Sequence, residues 1–141
     1  MQKRIVARTV ACSAVIAAVA GLGLMCATGQ LGAQAPGFTR TALQTQDLSA
    51  PDRVAVVARA EFIPGGAAGK HTHPGEELGY ILEGTLQLEI DGKPPLTLKA
   101  GDVFFVPAGV PHDGRNIGSV PAKVLATYVV EKGKPVATPV K

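Results

Sequence analysis

Cysteine is almost missing from this sequence, and what there is stands in one place. Cys12 and Cys26 both fall in the apolar N-terminal run. Beyond that run the chain has no material for a disulfide framework, a thiolate metal site or a cysteine nucleophile. Tryptophan is absent and aromatic residues make up 4% of the chain, which removes the stacking platform that holds single-stranded bases. An excess of one charge is lacking too. The formal net charge of +3 traces to Lys3, Arg4 and Arg8, because from residue 36 onward basic and acidic side chains balance. A neutral body excludes nucleic acid as a partner and offers nothing to an anionic lipid surface, so any membrane contact is expected only through the N-terminal segment.

That segment has the layout of a secretory signal peptide. Three basic residues precede a charge-free run of small and apolar residues over 9–26, and further small residues follow. The signal helix is assigned to residues 1–35, with cleavage between 29 and 35. Ala33-Gln34-Ala35 meets the small-x-small rule but leaves Pro36 after the cut, and cleavage after Gly29 or Ala33 is the alternative. A run of about 18 residues also just reaches across a bilayer, so an uncleaved anchor is the competing reading. Met25 stands where a lipid-attachment cysteine needs a small neighbour. The expected location is the periplasm or the exterior.

Residues 36–52 are polar and weakly patterned, and read as a linker leading into an entry strand or arm. A folded domain is expected over 53–130. In 52–63, Val54, Val56, Ala58, Ala60 and Phe62 share one parity while Arg59 and Glu61 take the other. Strands follow over 78–82 and 85–90, the latter with Leu86, Leu88 and Ile90 on one side. Asp91-Gly92 predicts a type I′ hairpin, and residues 96–98 return from it. Residues 103–106 read as a buried strand with Phe104 and Phe105 in the core, 113–116 as a loop, and 120–130 as a last strand. Residues 131–141, rich in Pro, Gly and Lys, predict a loose tail. About eight or nine short strands with turn signals between them, and no helix after the signal region, predict an all-β sandwich or barrel.

The chemistry gathers at 65–77. His71 and His73 are one residue apart, so on a strand both imidazoles face one side, roughly 6.5–7 Å apart at Cα. Pro74-Gly75 lets the chain turn so that Glu77 can return toward them. The third and last histidine, His112, is far along the chain. Any ion held here is held by nitrogen and oxygen.

Two spacings carry a family resemblance. Gly65, five residues, His71, one, His73, three, Glu77, six, Gly84 is followed by Gly101, five, Pro107, one, Gly109, two, His112, three, Asn116. In these ten positions, which include every histidine, the chain resembles the paired motifs of the cupin superfamily, and is most similar to its small bacterial single-domain, quercetin-dioxygenase-like members. The resemblance covers residues 60–116 directly. It implies a jelly-roll β-barrel in which His71, His73, Glu77 and His112 bind one divalent metal. It also implies turn or structural roles for Gly65, Gly84, Gly101, Pro107, Gly109 and Asn116, and a homodimer paired through edge strands, with 36–63 free to act as a swapped arm. An N₃O donor set suits Fe, Mn, Ni, Cu or Zn without choosing among them.

Around that centre Glu76 is the rival to Glu77 for the fourth position. Gly79, on the Glu77 face, is expected to leave open space for a substrate. Tyr80, Tyr128 and Arg115 are candidate substrate contacts, the alternatives being barrel packing for the tyrosines and a solvated loop charge for Arg115. The resemblance implies a metal-dependent enzyme of the dioxygenase type acting on a small oxygen-rich organic substrate, with Glu77 able to serve as base. A non-catalytic module that binds a metal or small metabolite is the alternative, as is a metal-dependent isomerase. Export would place metal loading outside the cytosol, where intrinsic affinity favours Cu(II) and Zn(II).

Overall fold

The computed structural model describes residues 34–141, and among these there is no helix. All but the last two residues of the expected signal helix therefore lie outside the described residues. Ten strands follow: β1 (Phe38–Asp47), β2 (Arg53–Phe62), β3 (His71–Thr72), β4 (Gly75–Glu83), β5 (Thr85–Ile90), β6 (Leu96–Lys99), β7 (Val103–Val106), β8 (His112–Asn116), β9 (Ala122–Glu131) and β10 (Thr138–Pro139). They build two five-stranded antiparallel sheets, ordered β1-β2-β9-β4-β7 and β10-β3-β8-β5-β6. Only β1–β2 and β5–β6 are sequential pairs within one sheet; every other connection crosses to the other sheet. That wiring is a jelly roll.

Alternation drives the central strands. β2 buries Val54, Val56, Ala58, Ala60 and Phe62 and turns the Arg59–Glu61 ion pair outward. β9 answers in register, with Val56 opposite Tyr128 and Ala58 opposite Ala126. Because side chains alternate with period two, one inward parity per strand fills the space between the sheets. The interior separates into two apolar clusters, one containing Phe38, Phe62, Ile81, Leu86 and Leu88, the other Val56, Ala58, Tyr128, Val130 and Val136. Burying one such Leu or Val side chain contributes about 1.5–3 kcal/mol.

Several local expectations are corrected. Residues 113–116 are strand β8, not a loop, because each pairs with β5 from Leu86↔Asn116 to Glu89↔Asp113. The polar, glycine-bearing composition hid a strand that exists through its ladder partner. In β7 only Val106 is buried, while Val103 and Phe105 are exposed on the outer face beside Leu78 and Tyr80. Strand parity, not hydrophobicity, decides which residues enter the core. In the Asp91-Gly92 turn only Gly92 takes a positive φ, and Ile90 accepts from Lys93 N–H at 3.0 Å, so the turn is not type I′.

Residues 131–141 do not hang loose. Val136 is buried, and β10 pairs with β3, Thr138 opposite Thr72 and Pro139 opposite His71. The polar tail is held by its backbone and by one apolar side chain, neither of which composition reveals.

The space at Gly79 is not left for a substrate either. A Cβ built there would stand 2.1 Å from Cε1 and Cζ of Phe104, so the Phe104 ring already fills it. Gly79→Ala is expected to cost about 1–3 kcal/mol by overpacking. In urea titrations, Gly79→Ala in a Phe104→Leu background should cost less than in the wild type. Equal costs in the two backgrounds would show that the ring contact is not the cause.

Candidate metal centre

Two motifs separated by sixteen residues in a sheet protein meet only if strand pairing brings them together. Here it does, since His71 on β3 lies directly opposite His112 on β8. His73 follows one residue after β3. Glu77 comes from β4 in the other sheet, paired with Tyr128 of β9 on one side and Val106 of β7 on the other. The cluster therefore spans the two sheets. All four side chains are buried, whereas Glu76 lies on the opposite parity and outside the cluster.

Each imidazole is oriented by a backbone carbonyl. Nδ1–H of His71 donates to Gly69 at 2.6 Å, that of His73 to Val136 at 2.5 Å and that of His112 to Val110 at 2.9 Å. With the proton at Nδ1, each ring has its lone pair on Nε2. These Nε2 atoms converge. Those of His73 and His112 stand 3.1 and 3.2 Å from the same oxygen, Oε2 of Glu77, and the three histidines offer ligand atoms within 4.8 Å of one another.

An Nε2 lone pair set against a carboxylate oxygen is a contact between two acceptors. It is stable only with a positive charge between them, a proton or a cation. Ligands about 2.1 Å from one ion stand about 3.0 Å apart at octahedral angles and about 3.4 Å at tetrahedral ones, from the usual metal–ligand lengths. The observed spacings fall between. His71, His73 and His112 can hold one metal ion, and the donor set of nitrogen and oxygen fits a divalent transition metal.

The electrostatics agree. Burial, then the neighbouring His112, push the His71 imidazole down to about 3, so it presents a lone pair across the whole physiological range. Burial disfavours a charged Glu77, but the positive charge shared with His112 and His73, a proton or a cation, outweighs it and holds the carboxyl well below its ordinary range. Burial and the Glu77 charge push the Tyr128 phenol up, which keeps it a proton donor.

Of the candidate substrate contacts, Tyr128 is in the interior, its ring centroid 4.7 Å from that of His73. Tyr80 is not: it is 45% exposed on the outer face, on the parity opposite to Glu77. Arg115 is likewise outside the cluster, an exposed residue of β8 donating to the Gly65 carbonyl at 3.2 Å. The motif residues Gly65, Gly84, Gly101 and Gly109 all take positive φ values, which glycine alone adopts without strain. Asn116, 1% exposed, donates from Nδ2 to the carbonyls of Phe62 and Val120 and accepts from Gly118 N–H, tying β8 to the end of β2 and to the loop that leads into β9. Pro107 ends β7 just before the turn that returns the chain to β8.

Sequence reasoning missed two contributors. Arg40 of β1 is buried beside the histidines, with Nη2 3.3 Å from His71 Nε2 and Nε donating to Tyr128 Oη at 3.1 Å. Its one sequence signal is a shared parity with Phe38. Val136 acts through its carbonyl, which leaves no signal at all.

A cavity of about 30 Å³ lies beside the cluster, lined by Phe38, Arg40, His71, Glu77, Phe104 and Tyr128 among others. A wider hollow of about 340 Å³ shares Phe38, Arg40, Ala68 and His71 with it and continues past Lys70 and Pro139.

Comparison with known proteins gives a consistent picture. The Cupin domain family model matches residues 58–128. Germin-like protein subfamily 2 member 1 of Arabidopsis thaliana is 39% identical over 77 residues, covering 51% of this chain and 35% of its own length. The oxalate-binding protein of Thermotoga maritima is 35% identical over 80 residues, covering 56% of this chain and 65% of its own. The chain thus spans less than two thirds of these curated relatives. Among solved structures, DMSP lyase DddQ from Ruegeria pomeroyi superposes with a TM-score of 0.61 at 25% identity, over 73% of this chain and 51% of that one.

Two outcomes follow from the geometry. In metal-free protein, unfolded His71 takes up a proton below about pH 6.5 while folded His71 does not until about 3. Stability is therefore expected to fall as pH drops through that window, by up to about 1.4 kcal/mol per unit from this residue. Urea titrations at several pH values should show a shallower acid loss in His71→Gln, and an unchanged slope would refute the assignment. Deleting residues 135–141 removes the Val136 carbonyl that orients His73. Zn(II) affinity, measured by competition with a chromophoric chelator, should drop by about 10–100-fold.

Proposed function

Because the chain belongs to the cupin domain family, we propose that it is a metal-dependent enzyme of the dioxygenase type acting on a small oxygen-rich organic molecule, with its ion held by His71, His73, Glu77 and His112. One observation carries this reading: three imidazoles anchored through Nδ1 gather their ligand nitrogens within 4.8 Å of one another, and two of them, His73 and His112, set Nε2 against a single buried carboxylate. A divalent ion there supplies Lewis-acid activation of an oxygen ligand and, when redox-active, a route to dioxygen.

The chain's own residues supply the rest. Glu77 is a weak base while it shares a proton or cation with His73 and His112, because that positive charge stabilises its charged form. Once it swings away from them its basicity returns and it can accept a proton from an acidic hydroxyl. The Tyr128 phenol, kept protonated, can donate to a substrate oxygen. Phe38, Phe62, Leu86, Leu88 and Phe104 line the cavity and exclude bulk water from it. Its volume of about 30 Å³ favours a substrate that inserts only a few heavy atoms, rather than a flavonol. The name of the T. maritima relative, an oxalate-binding protein, supports a small ligand of this kind.

A binding module is the second reading. It is favoured by the presence of one buried carboxylate, Glu77, among the described residues, with no partner acid for paired acid–base work. The N-terminal segment supports export, which would let Cu(II) or Zn(II) compete for the site.

The deciding experiment loads purified protein with Fe(II), Mn(II), Ni(II), Cu(II) or Zn(II) in turn and records oxygen uptake and product formation. The panel is small hydroxy, oxo and dicarboxylic acids, diketones and catechols. Turnover with at least one pair is expected, and Glu77→Gln should lower it by about 10²-fold or more, the usual range for a positioned acid–base group. Ligand-induced thermal stabilisation without any turnover would instead select the binding module.

A further inference from the structure

Arg40 stands in the barrel interior with no anion to answer it. Its residue is 6% exposed. It takes part in none of the ion pairs among the described residues, and residues 1–33 contain no Asp or Glu. An unpaired buried charge costs several kcal/mol, so a chain that keeps one has surroundings that hold it or a ligand that completes it.

What surrounds Arg40 orients it without neutralising it. Nε donates to Tyr128 Oη at 3.1 Å, and the guanidinium carbon lies 5.1 Å from the Phe38 ring centre and 5.4 Å from that of Tyr128. Nη2 donates to His71 Nε2 at 3.3 Å. That acceptor is the lone pair a metal would take, so ion binding at His71 releases the Nη2 donor. Nη1 makes no hydrogen bond to any described residue. The Nη1–Nη2 end is thus a two-donor edge at the cavity beside the cluster.

Charge and shape narrow the ligand. Glu77 is the one buried carboxylate among the described residues, so a guanidinium and a divalent ion together leave the interior with excess positive charge. The outer hollow, which shares Arg40 and His71 and adds Lys70, has no Asp or Glu in its lining. Two parallel N–H groups match the two oxygens of a carboxylate. The rest of the inner lining is largely apolar, and the volume of about 30 Å³ admits one such group with little else.

We propose that Arg40 is a substrate-binding residue that grips the carboxylate of a small organic acid between its guanidinium and the ion site. This specifies the substrate class of the function proposed above and rests on that reading for the ion.

The test uses the full protein in Zn(II)-loaded and chelator-stripped forms. Calorimetry with oxalate and glycolate as probes, and ethylene glycol as the neutral control, is run on wild type, Arg40→Met and Arg40→Lys, with Zn(II) affinity measured separately. Arg40→Met should keep or raise Zn(II) affinity, since the competitor for His71 Nε2 is gone, and weaken oxalate binding by about ten-fold or more, the scale of a charge-assisted pair. Ethylene glycol should show no dependence on residue 40. Oxalate binding of equal strength in wild type and Arg40→Met would overturn the proposal, as would no carboxylate binding by loaded wild type. If Arg40→Met does not fold, Arg40→Lys decides: it keeps the charge but not the two-donor edge, so several-fold weaker binding supports the proposal and wild-type affinity overturns it. If the wild type takes up no metal, the metal reading fails on its own, and the stripped arm decides. There, stabilisation by oxalate that is lost in Arg40→Met supports Arg40, and its absence in wild type refutes it.

Discussion

Three imidazole lone pairs and a carboxylate oxygen are packed together in an interior from which water is largely excluded, and the rest of the barrel is arranged around the need for a positive charge among them. Separations of 3.1 and 3.2 Å between Nε2 atoms and Glu77 Oε2 are too close for bare acceptors. The barrel pays for keeping them there with backbone. Carbonyls from the loop before β3, from the turn before β8 and from the C-terminal segment each take one Nδ1–H. Two carbonyls lying two residues before their histidine, and one remote carbonyl at Val136, therefore determine the tautomers of three side chains, and a tautomer determines whether an imidazole can act as a ligand.

The scaffold follows from the same demand. Donors contributed by both sheets must be held to a fraction of an ångström, which suits two sheets pinned across a dry core better than flexible loops. Arg40 touches both apolar clusters, through Phe38 of one and Tyr128 of the other. Asn116 contributes from outside the chemistry by joining β8, which carries His112, to the carbonyls at the ends of neighbouring segments. The Phe104 ring seated over Gly79 closes the space that a larger cavity would have occupied. A narrow cavity with a cationic side wall is the result.

Much of this was legible because it depends on local rules. Alternation of Val54 to Phe62 and of Leu86 to Ile90 marks inward faces wherever those strands pair, and the ten motif positions carry the two-motif spacing in plain view. What misled was composition standing in for geometry. Polar residues 113–116 form a strand because β5 offers them a ladder, and apolar Val103 and Phe105 face outward because parity puts them there. Tyr80 and Arg115 look like pocket residues by chemistry, yet lie on the wrong parity or the wrong side of a strand.

By itself the sequence determined which donors exist: three histidines, no cysteine beyond the N-terminal run, and a glutamate at a spacing that a strand and a turn can fold back toward the pair. It also determined an all-β body, through period-two alternation broken by turn residues. Tertiary structure decided everything that depends on approach between distant segments. It placed His71 opposite His112, lent the Val136 carbonyl to His73, and turned Arg40 from a residue of a polar arm into a buried cation beside the metal site. The physical reason is that side-chain identity is written in the chain, whereas a backbone carbonyl's partner and a charge's burial come into being only when strands pair.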